Sequence, residues 1–289
     1  MPVSQTDKIV TISLPNGSSA EIYKYGATVT SWKAPAANTQ TPVTERLFLS
    51  SKAYLDGSKP IRGGIPIAFP FFGPPSRDED KKMGQHGYAR AEEWELLRTV
   101  MDNEAGVSVK FGLHLPEEKR VQYGFDYDVR LEYIVTLAVH ELATHLVVHN
   151  DSEKPLTHQA LLHTYFACDA SQVTVAPLKG LTYLDKTRNY AETLETRDEV
   201  DVRNYTDAVY RNAGADFDIK YPGGGIHIHA KGFKDVVVWN PHAEAGRAIP
   251  DMEEGGWDKY ICVEPGMATY WNEIPGKGKW DGQQVLKTL

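Results

Sequence analysis

Residues 125–139, Phe125-Asp126-Tyr127-Asp128-Val129-Arg130-Leu131-Glu132-Tyr133-Ile134-Val135-Thr136-Leu137-Ala138-Val139, decide the fold class. Phe125, Tyr127, Val129, Leu131, Tyr133, Val135, Leu137 and Val139 occupy one set of alternate positions, and Asp126, Asp128, Arg130 and Glu132 the other. Successive side chains of a strand point to opposite faces, so this period of two predicts a long strand with one buried side. Val107, Val109, Phe111, Leu113 and Leu115 repeat the pattern just upstream. Val10, Ile12 and Leu14 lead into Pro15-Asn16-Gly17, after which Ala20-Glu21-Ile22-Tyr23 resumes it. Asn-Gly tolerates positive φ, so a β-hairpin is expected there.

Long helical periodicity is scarce, and only short helices are expected, around residues 50–55 and 251–255. The 24 glycines and 17 prolines are scattered, as many turns between many strands require. Residues 74–84 (PPSRDEDKKMG) read as an exposed loop, with a possible role as a lid left open. The expectation is an all-β fold of two packed sheets with few short helices, forming one domain over residues 1–289.

At 41% hydrophobic and 24% charged residues, the chain can bury a core of useful size. Its net charge of −8 and its lack of a basic stripe argue against nucleic acid, whose binding rests on clustered Lys and Arg. One small anionic ligand is still compatible, because a local pair of arginines suffices to bind a phosphate. The N-terminus lacks a signal-peptide pattern. No apolar run approaches the ~20 residues needed to span a bilayer. Two cysteines, Cys168 and Cys262, are too few for a disulfide framework. A monomeric, cytoplasmic protein without membrane association is expected.

Several motif-like stretches carry little. His140 and His145 are five apart in a strand-rich region, whereas a zinc-protease helix needs a spacing of four. His227 and His229 share a strand face but are followed by lysines rather than further ligands, so structural or solvent-facing roles are expected. Gly223-Gly224-Gly225 runs into a strand and reads as a turn. Cys262 lies on the face of Glu264 by alternation and is expected to be a small buried filler.

Four stretches could carry chemistry. Arg62 stands beside Gly63 and Gly64, where backbone can approach a ligand closely. Gln85-His86-Gly87-Tyr88-Ala89-Arg90 follows the charged loop. His163 shares a strand face with Leu161 and Tyr165, away from Leu162 and Phe166. In Tyr260-Ile261-Cys262-Val263-Glu264-Pro265-Gly266, the Pro-Gly pair is expected to end the strand and leave Glu264 at a sheet end, where hydrophobic neighbours raise its pKa. Together they suit acid–base work on an anionic ligand, although spacing alone does not make them converge.

The chain resembles the aldose 1-epimerase superfamily, in its glucose-6-phosphate 1-epimerase branch. Five ordered pieces spanning most of the chain carry the resemblance. They are residues 58–66 (SKPIRGGIP), 85–90 (QHGYAR), 161–166 (LLHTYF), 237–241 (VVWNP) and 262–266 (CVEPG). It implies a galactose-mutarotase-like β-supersandwich that interconverts the α and β anomers of a hexose 6-phosphate with neither metal nor redox cofactor. His163 and Glu264 fall on the catalytic positions, Arg62 and Arg90 on the phosphate-recognising ones, and Gln85 and His86 line the sugar site. Asp207 falls on the hydroxyl-binding aspartate, although Ala208 stands where the family commonly has arginine. Asp185 is the alternative. Glu264 would take the C1 hydroxyl proton while His163, facing it across the pyranose, protonates the ring oxygen. A non-catalytic sugar-binding module of the same fold would not need that acid and base, and a glycoside hydrolase would need two carboxylates across the bond.

Overall fold

The computed structural model describes residues 2–39 and 42–289. The alternating segment forms the strand Val129–Leu137, in which Val129, Leu131, Tyr133, Val135 and Leu137 are at most 3% exposed. Each such aliphatic side chain contributes about 1.5–3 kcal/mol by leaving water. The strand begins later than the alternation does. The Asp128 N–H binds Ser152 Oγ, and the Asp128 carbonyl accepts from Asp151 N–H, which takes residue 128 out of the ladder. The N-terminal hairpin forms as expected, Ile9–Ser13 against Ser19–Tyr23, with Gly17 at φ 91° in the turn.

Val129–Leu137 lies within a nine-stranded antiparallel sheet, between Gly106–His114 and Glu141–Asn150. A second sheet of eight strands runs Ala191–Leu194, Thr182–Asp185, Thr206–Tyr210, Asp235–Asn240, Tyr260–Gly266, Leu161–Leu162 and Ile67–Ala68, with Tyr165–Ala167 also paired to Tyr260–Gly266. A five-stranded N-terminal sheet spans residues 3–45. All three contribute to one hydrophobic core. The eight-stranded sheet supplies Val236, Val238, Ile261 and Val263 to it, and the nine-stranded sheet supplies Leu131 and Val109. Its other face carries Trp239, Cys262 and Glu264, and there the cleft lies.

The short helices fall elsewhere than expected. Residues 50–55 and 251–255 are turns that bind each other: Ser50 Oγ donates to the Asp251 carbonyl, and the Ser51 N–H donates to Glu253 Oε2. Long-range partners satisfy the groups that a helix would have paired locally. The α-helices are Glu117–Tyr123, preceded by Pro116 and ended by Gly124 at φ 67°, and His242–Gly246. Nor does Pro265 end its strand. It removes one donor, yet Pro265 and Gly266 stay paired with Val236 and Asp235. Glu264 is therefore inside a central strand, not at a sheet end. The 74–84 loop is mostly exposed but pinned: Arg77 binds buried Asp80 and lies 3.7 Å from the Trp271 ring centroid.

Candidate active site

Strand register brings the first pair together. Leu161 pairs with Gly266 and Tyr165 with Cys262, so His163 between them stands opposite Glu264. The strand breaks at His163-Thr164, where the Thr164 N–H turns back to the Leu162 carbonyl. His163 Nδ1 is 3.4 Å from Glu264 Oε1. That distance corrects the expectation of a sugar lying between them. Among the described residues, neither His163 Nδ1 nor either Glu264 oxygen has a hydrogen-bond partner. Orphaned buried polar atoms cost ~1–3 kcal/mol each, so this is strain that a ligand can relieve. Burial pushes the Glu264 carboxyl well up, with Asp207 adding to it. Burial pushes His163 well down, and the positive charges of Arg90 and Arg62 add to that.

Aromatic packing fixes the imidazole. Tyr165 stacks on it at 4.8 Å and 13°, while His86 and Trp239 meet it edge-on at 5.6 and 5.7 Å. Tyr165 also accepts a hydrogen bond from Arg62 Nη1 at 3.2 Å, and Arg62 Nε binds Asp251 at 3.1 Å. Burial opposes the Arg62 charge, but Tyr165 and Asp251 outweigh it and hold its pKa above the usual arginine value. Gly63 and Gly64 serve the protein's own backbone: a Cβ would lie 2.4 Å from the Phe48 carbonyl oxygen at Gly63 and 2.1 Å from that of Val29 at Gly64. This corrects their expected approach to a ligand. Arg90 Nη2 donates to the Gln85 carbonyl, while its buried Nε has no partner among the described residues. Burial and then Arg62 lower Arg90 to about 10. Two guanidinium groups that oppose each other's charge make a site for an anion.

His86 adopts φ 66°, a region few non-glycine residues enter. Its Nδ1 accepts from the Gly73 N–H at 3.1 Å, and its Nε2 lies 3.2 Å from the Gln85 side-chain amide. With Nδ1 accepting, the neutral ring carries its proton on Nε2. Burial, and then Arg90, push its pKa well down.

At the other end, Asp207 pairs in register with Trp239, and Lys186 Nζ lies 3.1 Å from Asp207 Oδ2 and 4.9 Å from the Phe72 ring centroid. Burial raises the Asp207 carboxyl while Lys186 works against that rise. Asp185, the alternative, instead caps the turn Lys186–Arg188 by accepting from Thr187. Arg62, Gln85, His86, Arg90, His163, Asp207 and Glu264 all line one cleft of about 230 Å³, closed by Phe72, Lys186, Tyr205, Val237 and Trp239. A groove of about 720 Å³ around Leu14, Pro15, Val107 and Val139 is larger but lacks a comparable set of converging ionisable groups. Lys186 and Tyr205 in the wall, and Asp251 behind Arg62, were not singled out from sequence. Lys186 lies just beyond a strand end, and only register reveals its proximity to Asp207.

His227 and His229 pair across strands with Asp218 and Asp216 on the surface, at 2.8 Å each, which fits the structural reading. His163, Cys262 and Glu264 do place potential metal-ligand atoms within 4.8 Å of one another. No helix of the described residues is long and apolar enough to cross a membrane.

Known proteins are similar to this chain in sequence and fold. A protein from Cenchrus ciliaris named "Putative glucose-6-phosphate 1-epimerase" is 29% identical over 93% of this chain and 81% of its own length. An Escherichia coli protein of the same name is 28% identical over 84% and 78%. The crystal structure of a "putative mutarotase" from Salmonella typhimurium superposes with a TM-score of 0.85, at 26% identity, covering 99% of this chain and 92% of that one. The all-β fold is thus that of the galactose-mutarotase-like proteins. The aldose 1-epimerase family model matches residues 8–274, so the chain belongs to that family.

Proposed function

We propose that the chain, acting as one unit over residues 1–289, is a hexose-6-phosphate mutarotase. The observation that carries this reading is the unpartnered Glu264–His163 pair, 3.4 Å apart, in one cleft with two arginines. Ring opening removes a proton from the C1 hydroxyl and gives one to the ring oxygen as the C1–O5 bond breaks. Both oxygens are bonded to the same carbon, so an adjacent acid and base can address them together. Burial leaves the one proton the pair shares on Glu264, and across the 3.4 Å gap it passes to His163 before the reaction. Glu264 then takes the hydroxyl proton, and the imidazolium of His163 supplies the other. The open aldehyde rotates about C1–C2, and the two groups return their protons as the ring recloses. Each transfer is worth ~10²–10⁴-fold in rate.

Arg62 and Arg90 hold the phosphate, away from the reacting carbon, and therefore orient the sugar rather than join the chemistry. Asp207, held by Lys186, accepts from sugar hydroxyls, and Gln85 and His86 close the wall beside it. The test is equilibration of α-glucose 6-phosphate, followed by polarimetry or NMR with and without protein. Acceleration is expected. Binding of the sugar phosphate without acceleration would replace this reading with a carbohydrate-binding module.

A further inference from the structure

Cys262 takes no part in that reaction, yet it completes a trio. Its sulfur, a His163 ring nitrogen and a Glu264 oxygen lie within 4.8 Å of one another. Cys262 and Glu264 alternate on one strand, and His163 stands at the break between the two short strands paired with it, so the flanking ladders position all three. We propose that these residues bind a thiophilic divalent cation, zinc or its analogue cadmium, whose occupancy silences the acid–base pair. This site is inhibitory, not a resident cofactor's.

The geometry is close to what the ion requires. Zinc bonds imidazole nitrogen and carboxylate oxygen at ~2.0–2.1 Å, and at a tetrahedral angle two such atoms stand ~3.4 Å apart. Nδ1 and Oε1 are 3.4 Å apart. A sulfur bonded at ~2.3 Å would lie ~3.5 Å from each, at most about 1.3 Å from its present spacing and within reach of a side-chain rotation. Among the described residues, His163 Nδ1 and both Glu264 oxygens have no competing hydrogen-bond partner. His163 and Glu264 both line the cleft.

Charge balance also fits. On binding, Cys262 releases its thiol proton and Glu264 the proton that burial holds on it, both to solvent, and the resulting thiolate and carboxylate offset the dication. The neutral imidazole that burial favours has its lone pair free. Of the cations lining the cleft, Arg62 is tied to Asp251 and Lys186 to Asp207. Arg90 alone faces the site with no carboxylate partner among the described residues. It opposes the ion, so zinc and hexose 6-phosphate compete for the cleft by position rather than by charge.

Metal-stripped protein is titrated with CdCl2, following the cadmium–thiolate ultraviolet band, and with ZnCl2 by calorimetry, alongside C262S and C262A. One ion per chain, a thiolate band, and at least tenfold weaker binding in both variants are expected. Zinc should slow anomer exchange, reversed by chelator and by excess glucose 6-phosphate. Two variants of different polarity, each checked for a cooperative melt, guard against a folding defect. Equal affinity in wild type and variants, absence of the band, or binding lost only in H227N/H229N would overturn the site. The proposal rests on three side chains and not on the substrate reading: cadmium held through Cys262 by a protein that does not speed anomer exchange would sink that reading alone.

Discussion

Glu264 Oε1 lies 3.4 Å from His163 Nδ1, and burial shifts the two groups in opposite directions, the carboxyl up and the imidazole down. The pair therefore holds a single proton between the lowered histidine value and the raised carboxyl value. Ring opening and closure move that proton around the pair without changing its number. The active form is lost on the acid side only when His163 is protonated while Glu264 still carries its proton, below the usual histidine value. It is lost on the alkaline side when Glu264, despite its raised pKa, ionises beside a neutral imidazole. Turnover at saturating substrate should accordingly run flat through the ordinary histidine pKa of about 6.5. A kcat that falls as the pH drops through that value would show that His163 titrates like an exposed histidine.

Glu264→Gln separates activity from stability. Removing the base should lower turnover by roughly 10²–10⁴-fold while keeping binding. The same change should stabilise the fold, because the unfolded chain ionises this carboxyl near pH 4.5 and the folded chain resists doing so. The folded pKa is raised, so the wild-type side chain favours folding below the unfolded value and loses that advantage as pH rises towards the folded one. The Tm of the variant should exceed that of wild type by a margin that widens from pH 4.5 upward. A margin independent of pH would place Glu264 in a solvated environment.

Much of the fold was legible, because a half-buried strand announces itself in every second residue, as in Val129–Leu137. What was not legible was register. The sequence places His163 on a face with Tyr165 but cannot say that Glu264, about a hundred residues on, stands opposite. Nor does it show that Lys186 lies against Asp207, or that Asp251 reaches Arg62 through turns mistaken for a helix. These depend on pairings between distant strands and loops, whose side-chain patterns are compatible with several alignments. Asp185 and Asp207 looked alike as carboxylates, and the structure told them apart, Asp207 lining the cleft beside Lys186 and Asp185 capping the turn at Thr187.

Arg62 and Arg90 should not be equivalent. Arg62 already binds Asp251 and Tyr165, whereas Arg90 has an unpartnered Nε and a lowered pKa. A phosphate therefore satisfies more of Arg90 than of Arg62. Arg90→Ala should reduce kcat/KM for glucose 6-phosphate by roughly ten- to a hundredfold, from charged hydrogen bonds worth ~1.5–3 kcal/mol. Arg62→Ala should lose a similar amount or less and also lower Tm, since it leaves Asp251 without its cation. Kinetics on free glucose provide the control. An equal loss for both sugars would remove that arginine from the phosphate site.

Lys186→Met tests the hydroxyl-binding end. Asp207 is largely buried, and its carboxyl rises on burial with Lys186 as the main opposing influence. Without the ammonium group it should be held higher still, so that part of the population is protonated where the wild-type group is ionised. A protonated carboxyl accepts less well from sugar hydroxyls, and KM should rise more than kcat falls. Because ionisation returns as pH increases, the defect should shrink at higher pH, and Lys186→Arg, which keeps the charge, should recover most of the loss. The measurement is kcat and KM for glucose 6-phosphate against pH for the three proteins. A defect of constant size across the range would mean that Lys186 acts through packing on Phe72 and not through the charge of Asp207.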